Sequence, residues 1–100
     1  MHTATVSLVT IVAESVLLDH LVDLLREHGA SGYTVHDARG QGSRGRRVGE
    51  IPGDNVRIES LVATDVAQHV LEALSVRYFA NYAVVAWVTD VRVARGEKYV

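Results

Sequence analysis

The chain has 100 residues, of which 48% are hydrophobic and 22% charged, and its formal net charge is −2. This is ordinary globular composition, and the length suits one domain, residues 1–100, with a single core. The small net charge argues against a general polyanion binder, because such proteins present a broad basic face. The absence of cysteine excludes disulfides, thiolate metal sites and cysteine nucleophiles, and it fits a reducing compartment.

Residues 1–15 do not have the sequence features of a targeting segment. Residues 1–15 have no basic stretch, and Ser7, Thr10 and Glu14 interrupt their apolar run. We therefore predict neither a signal peptide nor a membrane span, and we expect a cytoplasmic protein that does not insert into membranes.

Strand and helix patterns follow one another in the first half of the chain. Thr5–Ala13 is rich in Val, Ile and Thr, which is typical of a pleated strand. Leucines at helical spacing predict a helix over Val16–His28, and Gly29 suits its C-terminal stop. Gly32–Arg39 predicts a second strand.

The second half repeats the same order. Val56–Ala63 predicts a third strand, followed by a helix that Thr64 or Asp65 can cap. Ala83–Val93 predicts the fourth strand. The order βαββαβ indicates an α+β, ferredoxin-like fold, in which two helices cover one face of a four-stranded antiparallel sheet.

The other face of this sheet is the reason to expect an oligomer. A sheet covered on one side alternates apolar and polar residues, yet Ala83–Val88 is apolar without a break. No further element is predicted to cover that face, so we expect other copies of the chain to bury it. The alternative is a monomer that leaves a modest apolar face exposed.

A segment rich in glycine and arginine separates the second and third strands. Arg39–Asn55 holds five of the eight glycines, the only proline and four of the ten basic residues. Guanidinium and backbone N–H groups in such a segment can converge on one anion, and phosphate is the favoured candidate. The pattern is neither a Walker loop nor a dinucleotide fingerprint, so on composition alone a solvated hairpin loop is an equal alternative.

The stretch Gly29–Arg47 closely resembles the PII-like signalling proteins. In that family a Gly-x-x-Gly-x-Thr-Val turn and strand lead into a Gly-x-Gly that opens the T-loop, here about residues 40–55. The nearer resemblance is to the branch tied to inorganic-carbon acquisition, the bicarbonate-transporter regulators and carboxysome-associated PII proteins. It rests on Gly-x-Gly-Ser-Arg-x-x-Arg at residues 40–47 and on Arg77–Ala83, which includes a B-loop at about residues 78–82.

The resemblance implies a homotrimer with an adenine nucleotide in the cleft between adjacent subunits. The implied nucleotide-binding residues fall into three groups. They are Thr34, Leu61, Val62 and Ala63 at the adenine, Gly40, Gly42, Ser43, Arg44, Arg47 and Arg92 at the phosphates, and Phe79, Ala80, Asn81 and Tyr82 in the neighbouring B-loop.

The sequence departs from the nitrogen-signalling members of that family at three positions. Asn81, Ala94 and Arg44 stand where those members have a lysine, a second arginine and a glutamine that helps to bind Mg-ATP and 2-oxoglutarate. Fewer cations and no such amide favour ADP, AMP or cyclic AMP over Mg-ATP. Bicarbonate is a further expected ligand, held by loop N–H groups with Arg46 or Lys98.

The resemblance also implies a partner that the T-loop contacts, either a membrane transporter or a carboxysome-associated protein. We expect no metal, because the histidines form no His-x-x-x-His pair, and no enzymatic activity, because Ser43 has no local base. We also expect no nucleic acid partner. Two alternatives stay open. One is a metal-binding trimer of the divalent-cation tolerance type, and the other is a small RNA-binding module, which would need more aromatic residues beside Trp87 on its strands.

Overall fold

The computed structural model describes residues 1–39 and 54–99. Within these ranges the chain forms a four-stranded antiparallel sheet of order β2-β3-β1-β4 and two helices. The elements are β1 Thr3–Glu14, α1 Leu18–Glu27, β2 Thr34–Ala38, β3 Asn55–Val62, α2 Thr64–Arg77 and β4 Val85–Ala94. Short 3-10 turns occupy Ser15–Leu17 and Gly96–Lys98. The predicted α+β, ferredoxin-like fold is confirmed.

The ends of the helices depend on contacts that periodicity does not reveal. The first helix was expected from Val16, but the α-helix begins at Leu18, after the 3-10 turn. The predicted cap of α2 is wrong, because Ala63 holds the N-cap position and no side chain caps the helix. Thr64 already belongs to the first turn, and its Oγ1 accepts a hydrogen bond from Ser7 Oγ at 3.5 Å. Gly29 has a φ of 98°, as its predicted place after α1 requires.

The hydrophobic core lies between the helices and one face of the sheet. Odd-numbered residues of β1 face the helices, and the apolar stripes of α1 and α2 pack against them. Ile11, Leu21, Ile58 and Leu74 are fully buried there. Each such side chain stabilises the fold by roughly 1.5–3 kcal/mol relative to its exposed state. The core therefore holds the sheet as a rigid platform for its opposite face.

That opposite face, which we call the open face, carries the even-numbered residues of β1 and their partners in register. It comprises Ala4, Val6, Leu8, Thr10 and Val12 of β1, Arg57, Glu59 and Leu61 of β3, Thr34 and His36 of β2, and Val85, Trp87, Thr89, Val91 and Val93 of β4. Trp87 remains 39% exposed and Val85 54% exposed. The single chain thus leaves apolar surface uncovered on the edge strand β4.

One end of the open face is covered by the chain itself, contrary to the expectation that no further element was available. Arg95 has a φ of 61°, and this left-handed turn directs the 3-10 turn Gly96–Lys98 back over the sheet. Gly96 lies against Ala4, and Val6 beside it is only 1% exposed. A glycine is needed at this contact because no side chain fits there.

An ion pair joins the last turns of the two helices. Arg77 Nη2 donates a hydrogen bond to Glu27 Oε2 at 2.6 Å. This bond, together with the attraction of the guanidinium charge, lowers the pKa of the Glu27 carboxyl and raises the pKa of Arg77. Both side chains are about half exposed, so solvent screens the pair and its contribution is small.

Replacing Glu27 with Gln is expected to lower the urea midpoint of unfolding slightly at neutral pH. A carboxyl whose pKa is lowered by folding contributes stability above its unfolded pKa, and this stability is lost as the pH falls through the folded pKa. The difference from wild type should therefore vanish in acid. Urea titrations of E27Q, Arg77→Met and the double variant, each at neutral and at acid pH, measure the coupling free energy between Glu27 and Arg77. Coupling that persists in acid would contradict this account.

Candidate functional site

A groove of about 510 Å³ opens on the open face of the sheet. Leu8 and Leu61 are paired in register at its floor, so β1 and β3 position the two side chains next to each other. The lining residues are Leu8, Ser31, Gly32, Tyr33, Thr34, Glu59, Ser60, Leu61, Val91, Lys98 and Tyr99. They come from all four strands, from the segment that enters β2 and from the C-terminal turn, so the groove exists only in the folded chain.

The segment that enters β2 is held in place at both of its ends. Ala30 N–H donates to the Leu25 carbonyl at 3.0 Å, which closes the end of α1. Ser60 Oγ donates to the Gly32 carbonyl at 2.6 Å, and Thr34 pairs with Glu59 across the sheet. The wall of the groove formed by residues 31–34 is therefore tied to both α1 and β3.

The charges in the groove nearly balance. Glu59 is the acidic residue and Lys98 the basic residue among those that line it. Glu59 is also paired on the open face, with His36 Nε2 at 3.3 Å from Oε1 and Arg57 Nη2 at 3.6 Å from Oε2. A groove without excess positive charge suits an uncharged planar part of a ligand better than a polyphosphate, which needs several cations.

The neighbouring part of the open face combines polar and aromatic groups. The Arg57 guanidinium lies 5.4 Å from the centroid of the Trp87 ring, a cation–π contact. Thr10, which pairs with Trp87 and Glu59, is fully buried, and its Oγ1 has no hydrogen-bond partner among the residues that the structure describes. Trp87 therefore lies on the open face and not in the core between sheet and helices.

The structure brings three of the predicted ligand residues together. Thr34 and Leu61, predicted at the adenine, and Lys98, predicted for bicarbonate, all line the groove. Val62 alternates to the other face of β3 and is buried in the core at 3% exposure. Ala63 is the N-cap of α2. Within one chain, the predicted adenine residues are thus divided among the groove, the core and the start of α2.

The predicted B-loop residues lie away from the groove. Phe79–Tyr82 form a compact turn after α2, and the N–H groups of Asn81 and Tyr82 donate to the Tyr78 carbonyl. This turn leads into β4 at Val85, which pairs with Val12, whereas Leu8 is the residue of β1 that lines the groove. Four residues of strand separate these positions, about 13 Å at 3.3 Å per residue.

The predicted phosphate residue Arg92 is also outside the groove. It pairs with Thr5, so it belongs to the helix-facing side of β4, where it is exposed. The remaining predicted ligand residues lie outside the described part of the chain; they are Gly40, Gly42, Ser43, Arg44, Arg46 and Arg47.

The chain at Asp54 is anchored to the turn that precedes α1. Ser15 N–H donates to the Asp54 carbonyl at 3.2 Å, and Ser15 Oγ donates to Asp54 Oδ1. Asn55, the next residue, pairs with Glu14 at the end of β1. Asp54 and Asn55 therefore lie at the same end of the sheet as Phe79–Tyr82.

Sequence reasoning missed several residues that line the groove. Leu8, Tyr33, Glu59 and Tyr99 were not among the predicted ligand residues, although all four line it. For Leu8 the missing information was the strand register, since β1 is apolar on both faces over part of its length. For Tyr99 the missing information was the turn at Arg95, which no local sequence pattern predicts.

The described residues contain neither a metal-binding cluster nor a membrane-spanning helix. Within 1–39 and 54–99 there is no group of three or more His, Asp or Glu side chains that could hold a metal ion. Neither α1 nor α2, the two helices of these ranges, is long and apolar enough to cross a membrane.

Three comparisons with known proteins bear on this chain. A sequence profile of the family described as nitrogen regulatory protein P-II matches residues 6–98. A protein of Thermus thermophilus, described as a PII-like signalling protein, is 46% identical over 100% of both chains, with a TM-score of 0.87. CPII from Thiomonas intermedia K12, in a structure bound to ADP and bicarbonate, is 25% identical over 99% of this chain and 98% of its own, with a TM-score of 0.86.

A second structure of CPII holds ADP, AMP and bicarbonate. There the identity is 24%, the coverage is 94% of this chain and 98% of the other, and the TM-score is 0.82. This likeness adds support for the fold. Because the family profile spans nearly the whole chain and the Thermus protein matches end to end, the chain belongs to the PII family.

Proposed function

We propose that the chain is a PII-like signalling protein that binds an adenine nucleotide between the subunits of a homotrimer. ADP, AMP or cyclic AMP is the ligand, in preference to Mg-ATP. The protein acts in the cytoplasm through the loop of about residues 40–55 and catalyses no reaction. The observation that carries this proposal is the groove, which Thr34 and Leu61 line together with the apolar side chain of Leu8.

The groove has the character of a site for a nucleobase. Its floor is apolar and its charges balance, so it can hold a planar, uncharged ring. The hydroxyl of Thr34 and the carboxylate of Glu59 also line the groove, where they can form hydrogen bonds with the polar edge of the base. An apolar floor next to polar groups that fix the orientation of the ligand is typical of small-molecule sites.

The separation of the predicted residues within one chain supports a site shared by two subunits. Thr34 and Leu61 lie at the groove, whereas Asn55, which follows the loop in sequence, and Phe79–Tyr82 lie towards the other end of β1. We propose that the groove of one subunit receives the adenine and that the loops of its neighbour surround the phosphates. Arg44 and Arg47 then supply the positive charge that the groove lacks.

The open face supports the trimer. Val85 and Trp87 expose apolar surface on a sheet whose other side packs against the helices. Burial of this surface against two further copies removes it from water.

Bicarbonate is proposed as a second ligand and carbon status as the signal. CPII of Thiomonas, with a similar fold, is bound to ADP and bicarbonate. Lys98 lines the groove and offers an ammonium group to a small anion, and Arg46 is the loop residue proposed to assist it. The regulated partner is a bicarbonate transporter or a carboxysome-associated protein that contacts the 40–55 loop when nucleotide orders it.

Calorimetric titration of nucleotide-stripped protein tests the proposal. ADP, AMP, cyclic AMP and Mg-ATP are titrated with and without bicarbonate at constant pH and ionic strength, after the mass of the assembly has been measured by light scattering. We expect saturable binding of one nucleotide per chain, with an affinity that bicarbonate changes. Absence of nucleotide binding would refute the proposed site. Metal binding or salt-sensitive RNA binding in its place would support the two alternative functions.

Replacing Arg44 with Ala is expected to weaken ADP binding by about 1–3 kcal/mol, the range for a lost charged hydrogen bond. The same titration measures the loss. Arg39→Ala is the matched control, because Arg39 lies in the same segment but outside the predicted phosphate set. An unchanged ADP affinity in R44A would remove Arg44 from the site.

A further inference from the structure

We infer that Tyr33, backed by Arg26, is the platform on which the adenine base stacks; this inference rests on the nucleotide site proposed above. Tyr33 lines the groove and is 41% exposed, so its ring is accessible to a ligand in the groove. Neither Tyr33 nor Arg26 belongs to the ligand residues predicted from the sequence.

The first argument concerns the arrangement around the ring. The Arg26 guanidinium carbon lies over the Tyr33 ring, 5.5 Å from its centroid. Arg26 is not among the residues that line the groove, whereas Tyr33 is. The cation therefore lies outside the groove, and a flat base that enters the groove can stack on the part of the Tyr33 ring that lines it.

The second argument concerns the rigidity of the platform. Gly32, which precedes Tyr33, is held by the hydrogen bond from Ser60 Oγ at 2.6 Å. Thr34, which follows it, is paired with Glu59 in the sheet. With both neighbours fixed and Arg26 over the ring, little side-chain entropy remains to be lost when a base binds, and such preorganisation increases affinity.

The third argument concerns the chemistry of the ligand. Aromatic rings bind nucleobases by stacking, and the contribution does not depend on which hydrogen-bonding edge the base presents. The apolar floor of Leu8 and Leu61 adjoins Tyr33 in the same groove. The platform therefore contributes to affinity for the base, while Thr34 and Glu59 remain to discriminate adenine from other bases.

Tyr99 is the alternative platform in the same groove. Its ring also makes a cation–π contact, because Lys98 Nζ lies 5.7 Å from the ring centroid of Tyr99. However, it follows a short 3-10 turn at the C-terminal end of the chain and has no strand partner in the described ladders. The structure thus favours Tyr33, and Tyr99 supplies a matched control.

Titration of ADP and of pyrophosphate, which has no base, into four variants and wild type tests the inference. Tyr33→Leu is expected to weaken ADP binding about 5- to 150-fold, the loss typical of one stacked base, and to leave pyrophosphate binding unchanged. Tyr33→Phe should retain wild-type affinity, because the ring is kept. Arg26→Ala should weaken ADP binding about 2- to 5-fold. Tyr99→Leu should weaken ADP binding less than Tyr33→Leu does.

The outcomes separate this inference from the proposed function. If wild type binds ADP and Tyr33→Leu binds it equally well, the platform is refuted and the nucleotide site stands. Equal losses for ADP and pyrophosphate, or a larger loss in Tyr99→Leu, also refute it. If wild type binds no adenine nucleotide, the proposed function itself fails. Because Tyr33 is exposed, the variants are expected to fold, and thermal unfolding of each checks this.

Discussion

Replacing Gly96 with Ala is expected to lift the C-terminal turn off the sheet. A Cβ atom at Gly96 would lie 2.1 Å from Ala4 Cβ, much closer than two carbon atoms can approach. Overpacking of this kind costs about 1–3 kcal/mol, which for a domain of this size lowers Tm by several degrees. Thermal and urea unfolding measure the loss of stability.

The same substitution is expected to weaken ADP binding. Lys98 and Tyr99 line the groove only because the turn at Gly96 brings them back over the open face. If the turn detaches, the groove loses that wall and Val6 becomes exposed. The nucleotide titration of G96A measures this second effect on the same protein.

A compensating substitution provides the control for Gly96. Replacing Ala4 with Gly removes the atom that the new Cβ would meet, so the A4G/G96A double variant should recover most of the lost stability and affinity. Ala4→Gly alone costs roughly 0.5–1 kcal/mol for glycine within a strand. If the double variant is no better than G96A, the contact between these two residues is not the cause.

Replacing Val85 with Asp is expected to dissociate the proposed trimer into folded monomers. Val85 is 54% exposed on the open face of the single chain, so a carboxylate is tolerated there in a monomer. In the assembly the carboxylate would be buried without a partner, at a cost of about 3–5 kcal/mol for each subunit. Light scattering should report 10.9 kDa for the variant and about 33 kDa, three times that mass, for wild type.

Val76 provides the matched control for the interface. It is 85% exposed near the end of α2, on the opposite side of the sheet from the open face. Val76→Asp makes the same chemical change away from the proposed interface and should leave the trimer intact. A trimer that survives in V85D, or that dissociates equally in V76D, would argue against burial of the open face between copies.

The loss of the trimer should also abolish tight nucleotide binding, because the proposed site needs loops from a neighbour. The groove remains complete in a folded monomer, since all its lining residues belong to one chain. V85D should therefore retain weak base binding without the contribution of the phosphates.

The order of elements was predictable because each element buries one side against the core. The buried residues of an element therefore recur at the spacing of a helix or a strand. Examples are Leu21, Leu24 and Leu25 on α1 and the alternating Val56 and Ile58 on β3. The boundaries were less predictable. The first turn after β1 is a 3-10 turn tied to Asp54 through Ser15, a contact between residues 39 positions apart.

Part of the candidate site was predictable for a different reason. Thr34 belongs to a short motif before the loop, and Leu61 lies at a recognisable point before α2. Tyr33 lies within the same motif, yet its motif position is variable, so only its exposure and its contact with Arg26 point to a role. Whether Val62 or Leu61 faces the groove depends on register, because a shift by one residue reverses the faces of a strand.

The amino-acid sequence alone determined the fold class and the family, since both depend on patterns among residues close together in the chain. The tertiary structure decided which side of β1 faces the helices, because that strand is apolar on both sides and only its pairing with β3 and β4 selects one. It also decided that the turn at Gly96 covers Ala4 and that Leu8, Tyr33 and Tyr99 share one groove. These contacts join distant segments, and their energies depend on packing that no local pattern records.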